Sequence, residues 1–445
     1  MRIIRCPVCW QILVNPSAIT DVHLDAPQGA CYPQRRGGDG KMAPFCAAAP
    51  LLTMLVIIAR GSLLAMRIAL DLRFVNDHFP GIGRYVFSLA SALVSLGAPH
   101  EFVFLFTSDA PRHTSGRPDS FTAANTRYDL ERLLRASQMQ ALAAPPPFSV
   151  AGQVALPTLL RQARADLYHA PYYLFPYAGL PCPVVVTLYD IIPRLFPRES
   201  SLRARLFFDL STRLALWSAR RVITLSRRAR DDIARAYRVS PGRIDVVYGA
   251  ADTRFRPADP AIVAEVKTRY RLPDRYILCV ASDKPHKNVG TLVEAWRRSA
   301  SGRCETAPLL VLAGHRDRGT LSFDHPAIRD LGAVAEADLP ALYSGALIFV
   351  YPSRYEGFGL PPLEAMACGA AVICSRAGSL PEVVGDAALL IDPDDPGALA
   401  AAIDRVLADT ALRAALSDAG RRRAATFSWQ RAAEETLAVY ARAVR

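Results

Sequence analysis

The chain has 445 residues, 51% hydrophobic and 21% charged, enough for about two ordinary domains with sizeable cores, which excludes a disordered or fibrous protein. Lys and Arg number 53 against 41 Asp and Glu, and the formal charge of +12 favours anionic partners such as phosphorylated small molecules or an acidic membrane surface. The arginines are scattered through runs such as "RLLRAS" and "GRRRAA" with no aromatic-interleaved basic block, so nucleic acid is not expected as a partner.

The first 65 residues stand apart, rich in Pro, Gly, Ala and Cys and without a sustained helix or strand period. Cys6 and Cys9 form one C-x-x-C, but His23, Cys31 and Cys46 follow at irregular spacing and do not supply the second pair that a zinc site needs. Nine cysteines, an odd number spread over a long chain, argue against a disulfide framework and for a reducing, cytoplasmic compartment. Residues 43–59, "APFCAAAPLLTMLVIIA", are a 17-residue uncharged run behind Arg35, Arg36 and Lys41, superficially like a signal-peptide core or a short anchor. Its prolines weaken both readings, and the expectation is a dispensable extension or a start codon placed too early.

Met66 opens "MRIALDLRF", and from there apolar runs alternate with amphipathic stretches. "RIALDLR" predicts a strand, "GIGRYVFSLASALVSLG" a helix and "EFVFLFTS" a strand; further strands are read in "DLYHAPYY", "VVVTLYDII", "RRVITLS" and "IDVVYGA". Residues 109–157 yield no assignment. Turn formers place a linker near residues 249–260. A second run then begins, with apolar segments "YILCVAS", "PLLVLAG", "LIFVYPS", "AVICS" and "ALLIDP" and helices in "NVGTLVEAWRRSA", "PPLEAMACG" and "PGALAAAIDRVLAD". The pattern predicts an α/β protein of two Rossmann-like domains, 66–250 and 251–428, whose parallel sheets face a central cleft. A last helix over 429–445 is expected to cross back to the first domain.

Chemistry concentrates in "YPSRYEGFGLPPLEAMACG", residues 351–369. Gly357 and Gly359 let the backbone approach a ligand, Pro361 or Pro362 can start a helix, and its unpaired N–H groups would favour a phosphate. Glu356 precedes that helix and Glu364 is placed in its first turn, a ligand's width apart. A carboxylate accepts two hydroxyl hydrogen bonds and so suits the vicinal diols of sugars. The same spacing also fits a Glu364 that merely complements the helix dipole and a solvated Glu356.

The run "ALYSGALIFVYPSRYEGFGLPPLEAMACGAAVICSRAGSLPEVVGDAALLIDP" resembles the signature of the retaining glycosyltransferases of family 4, which have the GT-B fold and paired glutamates with seven residues between them. The likeness continues in "GIGRYVFSLASAL", "VVVTLYDIIPRLFP", "KPHKNVGTLVEAW" and "FSWQRAAEETLAVY", covers about residues 66–445, and is greatest to the mannosyltransferase-like branch that builds bacterial surface polysaccharide.

That resemblance implies an acceptor domain followed by a donor domain, and a hexosyltransferase that moves mannose from GDP-mannose, or another hexose from a nucleotide-diphosphate sugar, to a glycan or lipid-linked acceptor. Glu364 would hold the ribose, while Glu356, Gly357 and the backbone of Phe358, Gly359 and Leu360 would hold sugar and phosphates. Lys287 matches a phosphate-binding lysine, and Gly81 and Gly83 match a glycine loop after the first strand. Arg84 either contacts phosphate or lies on the helix surface. The chain departs from the family at His286, usually Arg, at Ala281, usually Gly, and at Tyr189, where a His often precedes the retained Asp190. A tyrosine bonds a hydroxyl but is no near-neutral acid or base. His169 at a strand end fits either a cleft residue or a structural one. No Asp-x-Asp pair follows the strands that deliver these residues, so no metal or other cofactor is expected. Peripheral contact with the inner membrane face fits the basic charge. The competing readings are another GT-B enzyme, such as an epimerase or phosphorylase, and a non-catalytic nucleotide-sugar-binding protein.

Overall fold

Apolar runs of four to seven residues become parallel strands here because helices cover both faces of each sheet, so successive side chains can be apolar on either side. The structure is a computed structural model that describes residues 2–5, 11–14, 65–75, 80–107, 133, 139–304, 307–316 and 325–445. Strands β1 (Arg2–Arg5) and β2 (Gln11–Val14) pair antiparallel. The cysteines at 6, 9, 31 and 46, His23 and the apolar run at 43–59 lie outside the described residues.

Residues 65–445 form one compact unit with two sheets. The first contains β3 (Arg67–Asp71), β4 (Glu101–Thr107), β5 (Met139–Ala144), β6 (Leu167–Ala170), β7 (Val184–Thr187), β8 (Arg221–Thr224) and β9 (Ile244–Val246) in the order β5-β4-β3-β6-β7-β8-β9. Its helices are α1 (Pro80–Ser95), α2 (Val150–Gln162), α3 (Ile192–Leu195), α4 (Leu202–Ser218) and α5 (Arg227–Tyr237). All its ladders are parallel. The chain runs outward from β3 to β5 and returns to β6, so the strand order reverses between β3 and β6, where ligands of such sheets bind.

The second sheet repeats the plan. After α6 (Pro260–Arg269) come β10 (Tyr276–Val280), α7 (Val289–Arg298), β11 (Leu309–Ala313), β12 (Ile328–Asp330), α8 (Leu339–Gly345), β13 (Ile348–Tyr351), α9 (Leu360–Ala367), β14 (Ala371–Ser375), α10 (Leu380–Val384), β15 (Leu389–Ile391), α11 (Pro396–Ala408) and α12 (Thr410–Ala424). The order is β12-β11-β10-β13-β14-β15, again parallel throughout, with the reversal between β10 and β13. Strands β11, β13 and β14 are buried along their whole length.

The last helix, α13 (Trp429–Val444), buries Ala432, Ala433, Thr436, Val439, Tyr440 and Ala443, a stripe at helical spacing, and turns it towards the first sheet. Trp429 packs edge-on to Tyr85 at 5.6 Å, and Arg442 donates to Asp245 at 2.8 Å. His169 is part of this seam and does not face the cleft. It is fully buried, its Nδ1 pairs with the Tyr440 hydroxyl at 2.6 Å and its Nε2 with Thr187 Oγ1 at 2.8 Å. Burial pushes its pKa down to about 3, so the ring is neutral and structural.

Candidate active site

Strand β13 ends at the reversal point of the second sheet and hands the chain to a loop that carries Glu356, Gly357 and Gly359 before α9. Gly359 caps that helix with φ of +109°, a left-handed conformation that a side chain would strain, and a Cβ there would meet Leu380 at 2.7 Å. This cap starts α9 at Leu360, one residue before Pro361 and two before Pro362. Glu364 is therefore the fifth helical residue, in the second turn; the first-turn placement expected from the prolines is corrected, and a dipole-complementing role loses its geometry. Only the backbone of Phe358 is available to a ligand, because its ring is buried against Tyr248 and Phe427.

Gly357 is required by a different neighbour. A Cβ on it would lie 2.3 Å from the Tyr189 carbonyl oxygen and 3.1 Å from Asp190 Cβ, both in the first domain. The Gly357 carbonyl accepts from Ser226 Oγ at 2.7 Å, so the two halves touch here through bare backbone. Gly357→Ala is expected to force them apart and lower turnover by about tenfold or more, since a displacement of about 1 Å is costly to reacting groups. Initial rates of nucleotide release at saturating donor check this; an unchanged rate refutes it.

Lys287 ends a short turn after β10, opposite this loop. Its Nζ donates to both Glu356 oxygens at 2.8 and 2.9 Å and to the Tyr351 hydroxyl at 3.3 Å. Burial by itself would raise the Glu356 pKa, but the ammonium over both oxygens outweighs it and holds the carboxyl below its ordinary value. Lys287 and Glu356, placed separately in the site from the sequence, thus form an ion pair, with the lysine charge anchored rather than free. His286, in the usual arginine position, pairs through Nδ1 with Glu199 Oε2 at 2.6 Å and joins the halves. Ala281 accepts from Arg316 Nη1 at 2.5 Å, and Arg316 is itself held by Asp330.

Across the cleft, Gly81 and Gly83 lie within the first turn of α1 rather than in a loop before it, because the helix already begins at Pro80, whose fixed φ suits that position. A Cβ at Gly81 would meet nothing within 4 Å, so this turn presents open backbone. Arg84 does not simply lie on the helix surface; two carboxylates of the second domain hold it. Its Nη1 donates to Glu364 Oε1 and its Nη2 to Glu336 Oε1, spanning from the first domain to the second. Arg254 donates to the same Glu336 oxygen at 2.7 Å, and both guanidiniums lie over the Phe255 ring. The Tyr343 hydroxyl donates to Glu364 Oε2 at 3.2 Å.

Tyr189 and Asp190 follow β7 and reach the same cleft. The Tyr189 ring packs edge-on to Tyr85 at 5.3 Å, and its hydroxyl is buried without a hydrogen-bond partner among the described residues. Burial pushes that hydroxyl far above its ordinary pKa, which removes it from acid–base work. Asp190 accepts from the Ile192 N–H at 2.9 Å, yet burial first, with the nearby Glu356 charge adding to it, raises its pKa. Sequence reasoning missed Glu336, Arg254 and Tyr343, and also the buried set at the end of β3. There Arg73 donates to both Asp71 oxygens, at 2.8 and 2.6 Å, and Tyr168 OH donates to Asp71 at 2.8 Å. Opposite charges two residues apart at the end of an apolar strand, "DLR", are the signal that could have found it.

Two family models match the chain: Glycosyltransferase Family 4 over residues 80–255 and Glycosyl transferases group 1 over residues 265–423. The O-antigen chain mannosyltransferase B of Escherichia coli is 35% identical over 297 residues, 63% of this chain and 75% of its own. An MMP alpha-(1->4)-mannosyltransferase of Mycolicibacterium hassiacum is 30% identical over 423 residues, 85% of this chain and 98% of its own. Among solved structures, sucrose-phosphate synthase from Thermosynechococcus elongatus superposes with a TM-score of 0.65 at 22% identity, covering 84% of this chain and 98% of that one, a likeness of fold. With two parallel Rossmann-like sheets, a returning last helix and both family models in sequence, the chain belongs to glycosyltransferase family 4 and has the GT-B fold.

Proposed function

We propose that this glycosyltransferase moves a mannosyl group from GDP-mannose to a hydroxyl of a glycan or lipid-linked acceptor, with retention at the anomeric carbon and without a metal ion. The observation that carries the reading is the anchored Lys287–Glu356 pair beside the glycine-opened start of α9, with Glu364 one turn further on. As the bond from the anomeric carbon to the diphosphate breaks, negative charge grows on the leaving oxygen. Lys287 and the free N–H groups of Gly359 and Leu360 would stabilise it. The acceptor oxygen bonds to the same carbon on the same face, and its proton passes to the departing phosphate, so neither glutamate need be a nucleophile. Glu364 and Glu356 would then grip the donor at ribose and sugar, with the phosphates between.

A fixed cation such as Lys287 suits metal-free transfer. No described helix is long and apolar enough to cross a membrane. Peripheral contact with the membrane face would bring a lipid-linked acceptor to the site. The test is to incubate the protein with GDP-mannose and other nucleotide sugars, with and without chelator, and to follow release of the nucleoside diphosphate and the anomeric configuration of the product. Release with GDP-mannose that survives the chelator, with retained configuration, supports the reading. No release with any donor, together with unchanged donor binding in Lys287→Ala and Glu364→Ala, would sink it.

A further inference from the structure

Eleven large apolar side chains are exposed among the described residues, and five of them lie on α4: Leu202, Leu206, Phe207, Leu210 and Trp217, each between 58% and 72% exposed. The helix buries Phe208, Ser211, Thr212, Ala215 and Leu216. At 3.6 residues per turn, Leu206, Leu210 and Trp217 project directly away from that buried stripe. The polarity is thus partly inverted, with Ser and Thr inside and Leu and Trp at the outermost positions. Arg203 and Arg213 share this outer face, and both are exposed.

Charge follows the same surface. Residues 192–220 carry six arginines, at 194, 198, 203, 205, 213 and 220, against Glu199 and Asp209. Both acids are already engaged, Glu199 by His286 and Asp209 by Arg194 and Arg213. At the C-terminal end of α4, Trp217 rims an open cavity of about 820 Å³ whose walls include Arg220, Arg243 and Arg442. An apolar ridge bordered by arginines and ending at an arginine-lined hollow matches the layering of an anionic bilayer, where acyl chains meet phosphate headgroups. It does not match water.

We propose that the outer face of α4, with the adjoining arginine-lined cavity, docks the protein on an anionic lipid surface. Leu206, Leu210 and Trp217 enter the boundary between headgroups and acyl chains, and Arg203 and Arg220 meet lipid phosphates. Helix α4 follows the segment that begins with Tyr189 and Asp190, so its N-terminal end lies on the cleft side of the first sheet. Docking along it brings a membrane-held acceptor to the cleft mouth, and in this purpose the inference rests on the proposed lipid-linked acceptor.

The experiment is co-sedimentation of the full chain with phosphatidylcholine vesicles, with and without phosphatidylglycerol. The wild type is expected to sediment with the anionic vesicles and to be released by salt. The triple variant Leu206→Ser/Leu210→Ser/Trp217→Ser and the double variant Arg203→Glu/Arg220→Glu are each expected to bind at least about tenfold more weakly. Nucleotide release from the donor without vesicles should be unchanged in both. Equal binding to both vesicle types, or variants that bind as the wild type does, would overturn the proposal. So would light scattering that shows a wild-type dimer made monomeric by the triple variant, which would assign the face to a second copy. Vesicle binding in a protein that releases no nucleotide from any donor leaves the docking surface standing and removes the transferase reading.

Discussion

Lys287→Ala is expected to lower kcat by about 10²- to 10³-fold, the loss typical when a charge-stabilising donor is taken from the position where negative charge develops. The same substitution is expected to reverse how stability depends on pH. In the wild type the Glu356 carboxyl is held below its ordinary pKa, so the pair stabilises the fold fully above the ordinary carboxylate range. That contribution disappears as pH falls through the lowered value. With the lysine gone, burial of Glu356 persists and no described cation bonds it, so its folded pKa rises above the unfolded one. The variant then loses stability as pH rises from the ordinary value through the raised one. Leaving a buried carboxylate without its partner costs about 3–5 kcal/mol at neutral pH. Urea midpoints of both proteins between about pH 4 and pH 7 measure this directly. Parallel pH dependences would show that Glu356 is held ionised by something other than Lys287. Lys287→Arg, which keeps the charge, should recover most of the stability and less of kcat, because a planar fork replaces a compact ammonium.

Much of this architecture was legible because parallel strands covered on both faces are written as uninterrupted apolar runs. "VVVT", "YILCV" and "IFVY" are short, unbroken and separated by helices at regular spacing. Strand β5 was not legible, since "MQALAA" is a weak strand former whose place is set by pairing with β4 along six residues. Helix α4 was hidden for the opposite reason: its exposed leucines blur the amphipathic period that marks a surface helix. Within the site, Glu356, Lys287 and the glycines could be placed because loop chemistry after a strand is local. The partners of those residues were not local. Arg84 and Glu364 are 280 positions apart, His286 and Glu199 are 87 apart, and only closure of the two domains brings each pair together. Tyr189 shows the same limit, because the burial of its hydroxyl depends on where Tyr85 packs.

Arg84→Met is expected to raise the donor KM by about tenfold with a much smaller change in kcat, and to destabilise the protein by about 3 kcal/mol. The reason lies in how its two carboxylates are otherwise supported. Glu336 keeps Arg254 at 2.7 Å when Arg84 is removed, whereas the almost fully buried Glu364 keeps only the Tyr343 hydroxyl among the hydrogen bonds described here. The loss therefore falls on Glu364, the residue proposed to accept the ribose hydroxyls. Each Glu364 oxygen already takes one hydrogen bond, from Arg84 or from Tyr343, and retains a lone pair for a ligand. On this geometry Arg84 orients the carboxylate and does not block it. Glu364→Gln should then rescue much of the stability lost in Arg84→Met, with a coupling of about 1–3 kcal/mol in a double-mutant cycle, while Glu336→Gln should rescue little. Donor binding separates the roles further. Glu364→Gln alone should weaken it at least as much as Arg84→Met, and the two together should not weaken it by the product of the single effects, since Arg84 acts through Glu364. Independent, multiplicative losses in donor affinity would mean that Arg84 contacts the donor itself, and equal rescue by the two glutamine variants would mean that the guanidinium serves only as a tie between the domains.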